Sequence, residues 1–514
     1  MKKVIYISAL CIVILLGSCK KFLDERPLEA VDISNFYKTG RDITAGLAGI
    51  YLSFQTEMTG PGNNFNGKYF YWGEVRSDNF DKNGYGGSRE DELRLNELTS
   101  GNALSNWDGL YRTIARCNQA IKYIPRVRET DPNTTVAVAN NALAEAYAMR
   151  AMCYFYIVRL WGDAPIRLEP YENVALDPTL PREPKAKIIE EVILADLNKA
   201  YELITKNQNN TVWRISEGAI AAMLADVYMW RAGTTNNAAD YTNAIGAFQK
   251  LFAAKGATGV VYGSTNANLE PTATWKQLFL APTSTREAIW SIHWDPAANG
   301  CACLPVSIGR SNSPVRVDSV IHADWQKNTA DIRVKQTYDI EQGLGNYDRV
   351  QKYYVTNAAM TSITTTADLS ATYLVMYRLG DMFLLYAEAL NKTGQRADAL
   401  KYLNYIHQRA GLPAIAATDP SVSTNGVLDE RKLETVILQE RQWETFAEGK
   451  RWFDLVRTNR VNEVMDPIIN DRIRRLTGTA GTEGFGTDKG RFLWPLYKTL
   501  LEENIKLEQN DSYK

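Results

Sequence analysis

Apolar residues recur every three to four positions along most of this chain, in stretches separated by clusters of Gly, Pro and Asn. That spacing predicts helices over about 32–57, 107–125, 136–161, 185–204, 215–232, 240–254, 376–392, 396–410 and 429–457. Between 255 and 375 the period changes. Short β-leaning runs such as 288–292 and 349–355 alternate with turn residues, so this stretch reads as irregular, with short strands. The predicted class is mainly α with a loop-rich region.

The helices fall into pairs with an internal likeness. Ala387, Leu390, Gly394, Ala399, Leu403 and Ile406 sit near the small and large positions of a tetratricopeptide unit, in which small residues let two antiparallel helices approach. Ala221, Ala225 and Tyr228, a turn at Gly233, then Ala244 and Phe248 repeat the spacing. A third pair joins Trp107 to Ile124 with Ala144 to Tyr156. Such pairs suit a protein-binding surface or an ordinary helical core, and periodicity alone does not choose.

The first apolar run is different in kind. Lys2 and Lys3 precede Val4 to Leu16, a run shorter than the ~20 residues a spanning helix needs, and Gly17 and Ser18 lead into Cys19. This is the pattern of a lipoprotein signal: residues 1–18 are expected to be removed and Cys19 to carry the lipid that anchors the mature chain.

At 45% hydrophobic and 23% charged residues the composition is that of a folded body, and a net charge of −1 provides no basic field to draw nucleic acid. Cys117 and Cys153 lie in apolar helical patterns and read as buried thiols. Cys301 and Cys303 lie in a Gly- and Pro-containing loop, where a disulfide, a metal pair and free thiols all stay open. His293, His322 and His407 belong to no metal-spaced motif, and no cofactor is expected.

Several segments then match one family in order. They are Lys20-Lys21-Phe22-Leu23-Asp24-Glu25-Arg26-Pro27, Arg76-Ser77-Asp78-Asn79, and Arg150-Ala151-Met152-Cys153-Tyr154-Phe155 with Arg159-Leu160-Trp161-Gly162-Asp163-Ala164-Pro165. Leu384-Leu385-Tyr386-Ala387-Glu388-Ala389-Leu390-Asn391, Arg409-Ala410-Gly411-Leu412-Pro413, and Glu440-Arg441 through Glu448-Gly449-Lys450-Arg451-Trp452-Phe453-Asp454-Leu455 continue the series. The chain resembles the SusD/RagB family of Gram-negative outer-membrane nutrient-uptake lipoproteins. Two departures stand out: His407 occupies a position that is often arginine, and Trp494-Pro495-Leu496-Tyr497 lacks the second proline of the usual ending.

The resemblance implies a SusD-like fold with tetratricopeptide-like helix pairs on one side and a loop-rich ligand face on the other. The implied layout is an N-terminal helical part at 19–254, a ligand-binding region at 255–375 and a C-terminal helical part at 376–514 packing on the first. It also implies a role without catalysis: an outer-membrane lipoprotein, facing the exterior, that acts as the lid of a SusC-like TonB-dependent transporter and hands it an oligosaccharide or a peptide. A surface hydrolase and a purely structural helical adaptor are the rival classes.

Glu440, Glu444 and Glu448 share one helical face, point the same way and so do not flank a bond as a glycosidase pair must. They read as a structural ion network, with Glu448 pairing Arg451 and Asp454 pairing Lys450 and Arg457. Ligand contact is expected instead in two polar loops that carry aromatic rings for sugar C–H faces and forked groups for hydroxyls. The first holds Asp78, Asn79, Tyr85 and Arg89; the second holds Trp294 and Arg310, with Trp325 shortly after.

Overall fold

The computed structural model describes residues 36–59, 67–293 apart from 174, 176 and 210, 313–337 apart from 329, 350–353, and 373–514 apart from 483. Cys19, the 1–18 segment, Trp294, Cys301, Cys303 and Arg310 lie outside the described residues.

Helix α1 (Gly40–Thr59) leads to the short strand β1 (Phe80–Lys82) and helix α2 (Ser88–Arg94). A long antiparallel pair follows, α3 (Asp108–Thr130) and α4 (Val136–Leu160). Thr135 starts α4 by accepting the Val138 N–H, which satisfies one orphan donor of the first turn. From Ala148 to Leu160 every residue of α4 is buried, so this helix runs through the middle of the body. Helix α5 (Ala195–Leu203), entered through a π-helical turn at Ile188–Leu194, packs on α4.

The second pair is α6 (Glu217–Thr235) and α7 (Ala238–Ala253), and the third is α8 (Leu379–Lys392) and α9 (Arg396–Arg409), with α7 against α8. The expected turn at Gly233 is corrected: α6 continues through it and ends at Asn236, which takes the left-handed conformation. Gly233 is glycine for a different reason, since a Cβ there would lie 2.1 Å from the Arg457 carbonyl oxygen.

Strands are few and short. β1 pairs antiparallel with β3 (Val315–Val317), and β2 (Ala288–His293) pairs antiparallel with β4 (Tyr373–Arg378). The helix expected at 376–392 therefore begins later, because 373–378 is strand and Arg378 is still extended. The 349–355 run is not a strand in its described part, where Val350 makes a lone bridge and Lys352 and Tyr353 form a turn. A small hairpin, β5 (Ser423–Thr424) and β6 (Val427–Leu428), closes on Asn425 and Gly426, both at positive φ as a two-residue turn requires.

The single helix expected over 429–457 is two. Helix α10 (Glu430–Glu444) stops, and α11 (Arg451–Arg457) starts after Ala447 and Gly449, which sit at φ 63° and 73°. The bend brings the Gly449 carbonyl against Gly73, where a Cβ would lie 2.1 Å away. Helix α12 (Val461–Thr477), which carries Pro467, escaped the periodicity. One continuous apolar core runs through the helical parts and both longer strands, and it includes Trp443, Phe446, Trp452 and Phe453.

Candidate functional site

The Arg76-Ser77-Asp78-Asn79 segment proves to be a junction inside the body. The Arg76 guanidinium is fully buried, lies 4.6 Å from the Trp452 ring and 5.6 Å from the Trp494 ring, and donates to the carbonyls of Phe492 at 3.0 Å and Leu493 at 3.1 Å. Asp78 accepts two hydrogen bonds from Arg451, each 2.9 Å long. Burial pushes the Asp78 carboxyl up, but Arg451 beside it more than compensates and holds it below the usual range. Asn79 donates to Glu74 at 2.6 Å and accepts from Gln442 at 2.8 Å. Asp78 and Asn79, expected at the ligand face, are thus committed to internal partners; a motif followed by polar loop residues gave no sign that it was itself core.

What the junction does is aim β1. Arg472 donates to the Ser77 and Phe80 carbonyls and to Asp318 at 2.8 Å, so the start of β1 and the chain just after β3 are held by one side chain. The β1–β3 pairing then brings together two segments far apart in sequence. Asn83 N–H donates to the Pro314 carbonyl at 2.9 Å, and Gly86 N–H closes a turn on the Asn83 carbonyl at 2.9 Å. Gly86 is packed so closely that a Cβ would come within 2.6 Å of the Pro314 oxygen.

Tyr85 stands at the tip of this turn with 67% of its surface exposed. Just beyond it, Arg89 lies over the Tyr71 ring at 4.7 Å, donates to the Tyr71 hydroxyl at 2.9 Å and to Glu90 at 2.8 Å. Tyr71 in turn donates to Glu90 at 2.9 Å, and the other Glu90 oxygen accepts the Gly87 N–H at the start of α2. The guanidinium is therefore held in a fixed plane with its side chain 29% exposed. An exposed aromatic ring is the kind of surface on which a sugar's C–H face packs.

Trp325 is corrected as a ligand contact. It ends the short helix Ser319–Trp325 fully buried, with its ring 5.3 Å from Phe446 and its indole N–H on Asp331 at 3.4 Å. Sequence reading passed over Trp213, a tryptophan in the α5–α6 connection that remains 40% exposed; its flanking polar residues were the available signal.

The three carboxylates of α10 and the bend after it form an ion network, through longer-range partners than expected. Glu444 pairs with Arg333, Arg378 and Arg409, Glu448 with Lys352 and Arg378, and Glu440 with Arg333 and His407. Arg451 and Lys450 pair instead with Asp78 and Asp381, while Arg457 does take Asp454. Burial pushes the Glu444 carboxyl up, yet the three guanidiniums hold it well below the usual range. None of the three faces solvent, so none is placed to meet a substrate bond. Cys117 and Cys153 are buried free thiols.

Residues 224–513 match the family model described as the SusD family, and residues 21–229 match one described as starch-binding, associating with outer membrane. The chain belongs to the SusD family. Among curated SusD-family relatives, SusD-like protein P38 of Formosa agariphila is 28% identical, with 97% of this chain and 96% of that protein covered. A SusD-like protein of Bacteroides ovatus is 24% identical over 79% of this chain and 77% of its own length. The fold is that of solved SusD structures: a SusD superfamily protein of Bacteroides fragilis superposes with a TM-score of 0.71 at 22% identity, covering 93% of this chain and 100% of that one. B. fragilis NanU gives 0.70 at 20% identity over 95% and 99%.

Proposed function

We propose that this SusD-family chain is a lipoprotein, anchored through Cys19 on the outside of the outer membrane, that captures a nutrient oligosaccharide and delivers it to a SusC-like TonB-dependent transporter as its lid. The observation that carries the ligand class is the exposed Tyr85 ring on a turn packed against Pro314; Arg89, four residues on, is held over Tyr71 at the start of α2. The family description of residues 21–229 as starch-binding and associated with the outer membrane supports the same class and place. The signal pattern ending at Cys19 supports the anchor. Capture on a tethered lid raises the ligand's local concentration over the barrel, which requires binding and release but no bond-breaking group.

Calorimetric titration tests the reading, with maltoheptaose, laminarihexaose, xylohexaose and casein peptides as titrants and chromatography of the used ligand. Saturable binding of an intact saccharide, weakened by Tyr85→Ala, is the expected result. Binding of peptides alone would move the substrate class, and cleavage would make the chain a hydrolase. Retained uptake at limiting saccharide in cells lacking this chain would remove the lid role.

A further inference from the structure

The connection between α5 and α6 contains a strained turn. Val212 is β-branched and buried, yet its φ is 50°, and the Trp213 N–H reaches back to the Thr211 carbonyl at 2.6 Å to form a three-residue turn. The turn is pinned from below, since the Val212 carbonyl accepts the Ser291 N–H of β2 at 2.8 Å. Backbone strain of this kind persists only where the surroundings impose it, and it is concentrated at ligand clamps and other functional positions.

What the strain positions is Trp213. Its ring lies 5.4 Å from His293 at the end of β2, and His293 stacks on Tyr373 of β4 at 4.6 Å and 18°. Three rings thus form a strip, of which Trp213 is the exposed end. Trp213 and His293 border a cavity of about 300 Å³ also lined by Phe54 and Trp290, themselves stacked at 5.8 Å. A second cavity of about 290 Å³ adjoins it, and the two share Thr44, Leu47 and Arg214. Its lining is mixed, with Val138, Ile204 and Ile215 among Asn141, Gln208, Asn209 and Glu217.

Arg214 is the partition. It donates to Glu145 through Nε at 3.0 Å, Glu145 accepts the Tyr51 hydroxyl at 2.6 Å, and the Ile215 N–H donates to that same hydroxyl at 2.8 Å. The guanidinium is fixed on its inner edge while its side chain stays 47% exposed between the cavities. One end of the groove therefore offers aromatic faces and the other a mixed surface that includes the Asn141 and Gln208 amides, with the held Arg214 guanidinium shared by both. Each half has the size of a small-ligand pocket.

We infer that the Trp213 groove is a second saccharide-binding site, separate from the Tyr85 turn, in which a sugar ring stacks on Trp213 and the hydroxyls of the next unit reach Arg214 and Asn141. The inference rests on the proposed glycan-binding function, and it adds a site on different elements: α1, α4, the α5–α6 connection and β2 rather than β1 and α2. A chain with two such sites would hold two short glycans at once, one at each.

Hydroxyl-radical footprinting of the full mature chain reads both places at once, because Trp213 and Tyr85 are both exposed enough to oxidise. With saturating maltoheptaose, laminarihexaose or xylohexaose, the oxidation rate of Trp213 should fall at least threefold together with that of Tyr85. In Trp213→Leu, binding stoichiometry should drop by half while Tyr85 stays protected, and in Tyr85→Ala the protection of Trp213 should remain. Protection of Tyr85 with Trp213 unchanged would overturn the second site and leave the proposed function standing. Protection of neither by any saccharide would overturn both. Protection of Trp213 by casein peptides alone would overturn the saccharide assignment of this groove.

Discussion

Asp78 and Arg451 are 373 positions apart in the chain and joined by two hydrogen bonds of 2.9 Å inside the core. The pair ties the segment leading into β1 to the start of α11, and Gln442 of α10 completes it by donating to Asp78 at 2.8 Å. Together with Arg76 on the 492–493 carbonyls and Arg472 on the β1 carbonyls, it makes the support on which the Tyr85 turn stands. The proposed ligand face is loop, but its footing is a set of buried arginines.

Asp78→Asn should therefore destabilise far more than a surface change does. Removing one member of a buried pair leaves the other charge uncompensated, at a cost of about 3–5 kcal/mol. The midpoint of urea unfolding should fall accordingly. The sign with pH follows from the Asp78 carboxyl being held below its ordinary value: its contribution is present above that value and is lost as pH falls through the depressed one. Wild type should lose this stability on acidification, and Asp78→Asn should lack that part of the loss.

Within the turn, two neighbouring glycines should behave oppositely. A Cβ on Gly86 meets the Pro314 carbonyl oxygen at 2.6 Å, whereas one on Gly84 meets nothing within 4 Å. Gly86→Ala should push the turn off β3, move Tyr85 and weaken saccharide binding by roughly tenfold, which is about 1.4 kcal/mol. Gly84→Ala should bind as wild type. Thermal melting should barely distinguish them, because the turn lies outside the core.

Gly233→Ala tests helix propensity against packing. In an exposed helix interior this change gains roughly 1 kcal/mol. Here the new Cβ would sit 2.1 Å from the Arg457 carbonyl oxygen, so α6 and α11 must part, and overpacking of that kind costs about 1–3 kcal/mol or more. Packing should win, giving a lower melting temperature.

The helix pairs were legible because each carries its own period, and small residues such as Ala387 and Ala244 are buried as the spacing demands. The break at Ala447–Gly449 was not, since apolar residues continue across it and Gly73, which leaves room for the Gly449 carbonyl, comes from a distant segment. Glu448 shows the same limit: Arg451 lay at helical spacing, but its partners Lys352 and Arg378 come from elsewhere in the chain. The exposure of Tyr85 was legible from its place as an aromatic in a polar loop. Trp325 had similar local context and is core, because burial there is decided by Phe446 and Asp331, which sequence does not bring near.

Glu74 supplies the clearest pH dependence. Its carboxyl is buried in the junction, where Asn79 and the Lys450 N–H donate to it at 2.6 and 3.0 Å. Burial pushes it up to about 7 despite those bonds. A carboxyl raised above its unfolded value binds more protons in the native state, so stability is highest below the unfolded value and falls as pH rises toward the raised one. At ~1.4 kcal/mol for each pKa unit the fall is on the order of a few kcal/mol. Glu74→Gln should remove that slope: its stability relative to wild type, from urea unfolding at a series of pH values, should rise steadily from acid to neutral and then level off. A difference that stayed constant with pH would mean that the carboxyl ionises normally where it is buried.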